Sequence, residues 1–231
     1  MMLSILYEDS EIVCCLKPAG VLSTNGPDGM PQRLAAQLGG RPEQYRTVHR
    51  LDQVVRGVML YARTPEAASR LGAQVMDHRF RKSYLAVIRG APPEKNGVLR
   101  DYLARDRAER KTYVVPAPDR NARLAVLHYE LLSQANGLSL VRVSPETGRT
   151  HQIRCQFASR DLPIAGDRKY STVPADYPIA LWSGYICFQH PGTERTMEFA
   201  ALPPAEAPWD CFSASLAELR NQIPPQPAPA P

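Results

Sequence analysis

Two alternating apolar runs, Val126 to Leu132 and Leu138 to Val143, meet at Gln134-Ala135-Asn136-Gly137, and this junction constrains the fold more than any other stretch. Asn-Gly supplies two residues that tolerate positive φ, which a tight hairpin turn requires. Two strands fixed side by side need further strands and a covering layer to bury their apolar face. The rest of the chain offers both. Ile5 to Tyr7 and Ile12 to Leu16 flank the acidic turn Glu8-Asp9-Ser10-Glu11, and Val58 to Ala62 is a compact apolar run. Lys82 to Arg89 alternates, with Tyr84, Ala86 and Ile88 on one face; weaker runs cover Val98 to Leu103 and Thr112 to Val115. Ala180 to Gln189 and Thr196 to Ala201 make a closing pair about His190-Pro191-Gly192. Helices are fewer: Gln32 to Leu38, Thr150 to Ser159, Ser213 to Gln222, and one opened by Thr64-Pro65-Glu66. That opening has a cap, a proline at N1 and an acid in the first turn. The helix is expected to run to His78, with Ala68, Leu71, Val75 and Met76 inward. The pattern predicts an α+β fold, a mixed, mostly antiparallel sheet flanked by helices and loops. One domain is expected over residues 1–223, and the Pro/Ala-rich residues 224–231, which cannot pack a core, are expected to be disordered.

Chemistry has two places to reside. In His49-Arg50-Leu51-Asp52-Gln53-Val54-Val55-Arg56-Gly57 one carboxylate stands between two arginines, and opposite charge favours its ionised form. Asp52 is therefore a candidate nucleophile or base beside a polyanionic substrate; a turn-entry Asp among surface arginines is the plainer alternative. In Glu146-Thr147-Gly148-Arg149-Thr150-His151-Gln152-Ile153-Arg154 a strand ends and a helix begins, crowding donors into its first turns. Arg149, Thr150, His151, Gln152 and Arg154 with backbone N–H groups would form an anion site. A well-capped helix with solvated polar residues fits the same letters.

Composition narrows the classes. A formal net charge of +5, from 28 Lys and Arg against 23 Asp and Glu, suits an anionic partner, yet the cations are scattered among carboxylates and form no basic tail. Five cysteines, odd in number and without a Cys-x-x-Cys pair, suggest neither a zinc site nor a disulfide framework. His49 and His151 lack companions at ligand spacing, since His78, His128 and His190 are dispersed, so no metal is expected. The start of the chain has no basic, long-apolar leader, and no window has the apolar length of a membrane span. A soluble, cytoplasmic setting without membrane partners, and a monomer, are the expectations.

Taken in order, His49-Arg50-Leu51-Asp52, Lys82-x-Tyr84-Leu85-Ala86 and Thr147-Gly148-Arg149-Thr150-His151-Gln152-Ile153-Arg154 resemble the motifs of the RluA-type pseudouridine synthases. Ile5-Leu6-Tyr7-Glu8-Asp9, Lys17-Pro18-Ala19-Gly20 and Pro163-Ile164-Ala165-Gly166-Asp167 fit the same pattern, and the likeness covers residues 3 to 203. It implies the pseudouridine synthase fold with a central RNA-binding cleft. It also implies a cofactor-free enzyme that isomerises uridine to pseudouridine in tRNA or rRNA. By position, Asp52 would be the catalytic aspartate, Arg154 the arginine that pairs with it, and Tyr84 the aromatic residue packing on the target base. Arg50 would fill the space left by the extruded nucleotide. His49, Arg56, Lys82, Arg149, His151 and Gln152 would join Arg50 in RNA contact. Arg79, Arg81, Arg105, Arg107, Arg110 and Lys111 are further candidates, although the last group alternates with Asp106 and Glu109 and could be self-paired. Arg56 replaces the family's usual small hydroxyl residue, Gln156 its usual His, and no N-terminal RNA-binding domain is expected. Two other classes stay open: a non-catalytic RNA-binding protein keeping the fold, and a glycoside- or nucleoside-cleaving hydrolase, which would need a second carboxylate.

Overall fold

The computed structural model describes residues 2–116 and 120–222, so the tail expected from residue 224 lies outside the described residues. In chain order the elements are β1 (Ile5–Glu8), β2 (Ile12–Lys17), α1 (Met30–Leu38), a 3-10 turn (Pro42–Gln44), β3 (Arg46–Thr47), β4 (Arg56–Ala62), α2 (Pro65–Met76), β5 (Arg81–Arg89), β6 (Asn96–Asp106), β7 (Lys111–Val115), β8 (Arg123–Ala135), β9 (Leu138–Pro145), α3 (Gln152–Ala158), β10 (Leu181–Gln189), β11 (Thr196–Ala200), a second 3-10 turn (Trp209–Phe212) and α4 (Ser213–Arg220). The α+β class is as expected. The chain forms two compact units: the described part of the first comprises residues 2–82, 183–202 and 222, and that of the second comprises residues 83–116, 120–182 and 203–221.

In the first unit β2 lies between β1 and β4, β10 follows β4, and β3 and β11 add to β4 and β10. The pairs β1–β2, β2–β4, β3–β4 and β10–β11 are antiparallel. Alternate residues point to one side, so Ile12, Cys14, Val58, Leu60, Ile186, Phe188 and Phe199 share a core with Ala67 and Leu71 of α2. Each such large side chain contributes about 1.5–3 kcal/mol on burial. The Thr64 hydroxyl accepts the Ala67 N–H at 3.0 Å, as the capping signal predicts. The far end differs. The helix stops at Met76, Met76 is 79% exposed, and Gln74 takes the inward place. Its amide grips Gln189 of β10 from both sides: Nε2 donates to the carbonyl at 2.7 Å and Oε1 accepts the N–H at 2.8 Å. A polar residue is buried there because its hydrogen bonds are satisfied.

In the second unit the strand order is β5-β9-β8-β6-β7, and each adjacent pair is antiparallel. The β8–β9 turn has Asn136 at φ 54° and Gly137 at φ 73°, the double positive φ that the sequence signal demanded. β6 and β8 run further than their apolar cores suggest, because charged ends stay on the ladder: Asn96 lies opposite Glu130 and Leu103 opposite Arg123. β5 is buried continuously from Tyr84 to Ile88, so both of its faces are covered and the single inward face read from alternation is incomplete. Among the described residues no helix is long and apolar enough to cross a membrane.

Candidate active site

Asp52 sits, half-buried, in the loop before β4, between buried Leu51 and a turn closed by the Val55 N–H on the Asp52 carbonyl at 3.0 Å. Three residues upstream in the chain hold this loop. The Lys17 ammonium, 1% exposed, donates to the carbonyls of Pro18 (2.8 Å), Val21 (2.7 Å) and Gln53 (3.0 Å). Gly20 and Gln53 exchange two bonds at 2.8 Å, from the Gly20 N–H to the Gln53 carbonyl and from Gln53 Nε2 to the Gly20 carbonyl. The Ser23 hydroxyl donates to the Leu51 carbonyl at 2.8 Å and accepts the Leu51 N–H at 3.1 Å. Tyr61 of β4 then fixes Ser23 through its carbonyl, 2.8 Å away. Both chain neighbours of Asp52 are thus bonded to the 17–23 segment. Loss of solvent brings the Lys17 pKa down to about 8 despite the favourable charge of Asp52; Arg33 pushes the same way as burial.

Sequence reading missed Lys17 and Ser23 as parts of this site. Lys17 ends an apolar strand and enters a Pro-Gly turn, and only its fold position reveals three carbonyls converging on it.

Of the RNA-contact candidates in this unit, Arg50 is exposed and Arg56 half-buried at the start of β4. His49 is a correction. It is 7% exposed, and its Nε2 accepts the Leu60 N–H at 3.2 Å, with the ring 5.2 Å from that of Phe80. An accepting Nε2 places the proton on Nδ1. Burial, with Lys82 adding to it, brings its pKa down to about 3, so His49 is a neutral interior strut behind the Asp52 loop and not a surface contact. Lys82 is half-buried, and desolvation lowers its pKa too. Arg79 pairs with Asp77 at 3.1 Å, and Arg81 donates to the Cys187 sulfur at 3.1 Å.

In the second unit Arg154 is 4% exposed on α3 and forms a two-point pair with Asp167: Nε to Oδ2 at 2.7 Å and Nη2 to Oδ1 at 2.8 Å. Its guanidinium carbon lies 5.2 Å from the Tyr170 ring centre. Tyr84, on β5 opposite Val143, is 7% exposed.

The expected anion site at the head of α3 needs a second correction. The helix begins at Gln152, two residues later than expected, and spans seven residues; His151 before it is left-handed at φ 55°. The turn uses donors internally. Gln152, 4% exposed, accepts from Thr147 Oγ1 (2.8 Å) and the Arg149 N–H (3.0 Å) and donates to the Val126 carbonyl (3.0 Å). It braces the loop from within, with its amide oxygen and nitrogen both engaged. Arg149 is exposed with Nε on the Leu124 carbonyl at 3.1 Å, and His151 Nδ1 meets the Tyr170 hydroxyl at 2.9 Å. Gln156 donates to Asp101 at 2.7 Å, tying α3 to β6. In the β6–β7 turn Asp106 accepts the Ala108 and Glu109 N–H groups and Glu109 accepts from the Tyr113 hydroxyl, so these carboxylates serve the turn.

Comparison with known proteins gives this geometry a context. The family model for RNA pseudouridylate synthase matches residues 11–159. An uncharacterised RNA pseudouridine synthase of Zymomonas mobilis is 35% identical over 172 residues, covering 73% of this chain and 78% of that one. The tRNA pseudouridine synthase C of Yersinia pestis is 32% identical over 234 residues, 90% of this chain and 88% of its own. The ribosomal large subunit pseudouridine synthase D of Borreliella burgdorferi is 31% identical, covering 74% and 55% respectively. Human RNA pseudouridylate synthase domain containing 1 superposes with a TM-score of 0.76 at 22% identity, over 98% of this chain and 97% of that one, a likeness of fold.

Proposed function

The chain belongs to the RNA pseudouridylate synthase family and is an RNA pseudouridine synthase, and from that premise we propose that Asp52 performs the chemistry on a flipped-out uridine. The observation that carries this reading is the family match over residues 11–159, which includes the pinned Asp52 loop and the Arg154 helix. Isomerisation breaks the N1–C1′ bond, turns the base and rejoins it through C5. It needs neither a redox carrier nor a metal, only a placed carboxylate that attacks C1′ or removes a proton from C2′ to give a glycal. A loop held at both neighbours of Asp52 supports such placement, since small misplacements of a reacting group cost large factors in rate.

In this reading Arg154 supplies positive charge to that step and Tyr84 packs against the base. Arg50 stacks in the vacated space, where a planar guanidinium can replace a base. Arg56, Lys82, Arg149 and His151 contact phosphate or sugar. The substrate is tRNA or rRNA, the classes named in two relatives, and the enzyme acts as a cytoplasmic monomer.

Pseudouridine mapping across total RNA from cells with and without the protein tests the assignment. The expected result is loss of modification at defined tRNA or rRNA uridines, restored by the wild-type gene but not by Asp52→Asn. Identical maps in the two strains would reject it. Light scattering on a sizing column checks the monomer.

A further inference from the structure

We infer that Asp167 and Tyr170 are positioning residues for Arg154, fixing which edge of its guanidinium is offered in the reaction; this rests on the role proposed above for Arg154. An arginine side chain has many rotamers, so a fixed direction needs contacts that hold it. Two groups restrict it here. Asp167 takes the Nε and Nη2 donors in a fork, which leaves Nη1 as the amino group outside this pair. The Tyr170 ring stands against the guanidinium with its centre 5.2 Å from Cζ. Rotation of Arg154 would break both contacts.

The two positioning residues are themselves fixed. Asp167 Oδ1 also accepts the N–H groups of Lys169 (2.9 Å) and Tyr170 (3.3 Å), so one carboxylate closes its own turn and grips the arginine. Its side chain is wholly enclosed, 0% exposed. Gly166 before it has φ 75°, and a Cβ there would run into the Pro178 carbonyl, so this turn needs glycine at that position. At the other end the Tyr170 hydroxyl accepts the Thr112 N–H of β7 at 2.8 Å and meets His151 at 2.9 Å. The ring of His151 stands edge-on to Tyr170 at 89°. Gly166, Asp167 and Tyr170 thus form a cradle whose parts are bonded to β7, to the turn before α3 and to Arg154. A buried ion pair alone would be weak evidence of a catalytic purpose; the ring contact and the fork fix direction as well as charge.

The test is a set of single-turnover rates on RNA transcribed with C5-tritiated uridine, whose tritium is released when C5 is joined to C1′. Asp167→Asn, Tyr170→Phe, Arg154→Ala and the double variant Asp167→Asn/Arg154→Ala are compared at a temperature where circular dichroism shows each folded. The expected result is a fall of about 100-fold for Asp167→Asn and about tenfold for Tyr170→Phe, with RNA affinity within about threefold. Asp167→Glu, which keeps the charge, should recover part of the loss. Added to Arg154→Ala, Asp167→Asn should change the rate by less than about twofold, because it acts through the residue already removed. A full multiplicative loss in the double variant, or wild-type rates for Asp167→Asn while Arg154→Ala is slow, would overturn the inference. If Asp167→Asn does not fold, a wild-type rate for Tyr170→Phe overturns it instead. A wild-type rate for Arg154→Ala is a different result: it removes the role of Arg154 itself.

Discussion

Lys17 and Arg154 are both cations taken out of water, and the chain satisfies them in opposite ways. Lys17, in the first unit, has three main-chain carbonyls around its ammonium. Arg154, in the second, has the enclosed carboxylate of Asp167 and the ring of Tyr170. Carbonyl dipoles offset less of the lost hydration than a full charge does, so the Lys17 pKa falls to about 8. An arginine cannot be deprotonated in a protein and keeps its charge. The loop bearing Asp52 is therefore held by a cation whose pKa is brought down to about 8, whereas Arg154 remains a cation. Fold position, more than residue type, decides how a buried charge behaves.

The largest effect is expected at the ion pair of Arg154 and Asp167. Arg154→Met should cost about 3–5 kcal/mol of unfolding free energy, because it strands the Asp167 carboxylate in the interior. Arg154→Met with Asp167→Leu should regain most of it, as read by urea denaturation; no recovery would mean the pair is not what stabilises this region.

His49 sharpens the contrast with a buried neutral group. Its folded pKa of about 3 lies below the ordinary 6.5, so the unfolded chain binds the extra proton as pH falls through that window. Stability from this group is intact above pH 6.5 and is lost toward pH 3, by about 3 kcal/mol at pH 4. His49→Gln, which keeps an acceptor for the Leu60 N–H, should flatten that acid slope; an unchanged slope would place the loss elsewhere.

Lys17→Met should cost less than the arginine change, about 2 kcal/mol, since three lost hydrogen bonds are set against relief of a buried charge. Its pH signature differs from that of Arg154. Between about 8 and 10.5 the unfolded chain holds more protons at Lys17, so wild-type stability rises there relative to Lys17→Met. The isomerisation rate should fall over the same window, because a neutral amine has two N–H donors for three carbonyls. Parallel trends in rate and stability would contradict the clamp. The smallest effect is expected at Arg56: Arg56→Ser should reduce the salt slope of RNA binding by about 0.7, one phosphate contact, and leave the rate constant in place.

Much of the scaffold could be read from local chemistry. Asn136-Gly137 specified its turn because few residues tolerate positive φ, and Thr64-Pro65-Glu66 specified a helix start because the cap depends on neighbours in sequence. Polar residues whose partners lie far along the chain were the difficulty. Gln74, Gln152 and Gln156 look like surface positions on a helix and are buried, each bonded to a residue distant in sequence. His49 misled for the same reason. Asp167 was visible only as part of the Pro163 to Asp167 block; nothing in its neighbours shows that it grips Arg154 thirteen residues back.

The most direct measurement is the single-turnover rate of Asp52→Asn beside its affinity for the same RNA. Tritium release from C5 should be abolished while affinity stays within about tenfold, or ~1.4 kcal/mol. Release at the wild-type rate by folded Asp52→Asn protein would contradict the assignment of Asp52 as the reacting carboxylate.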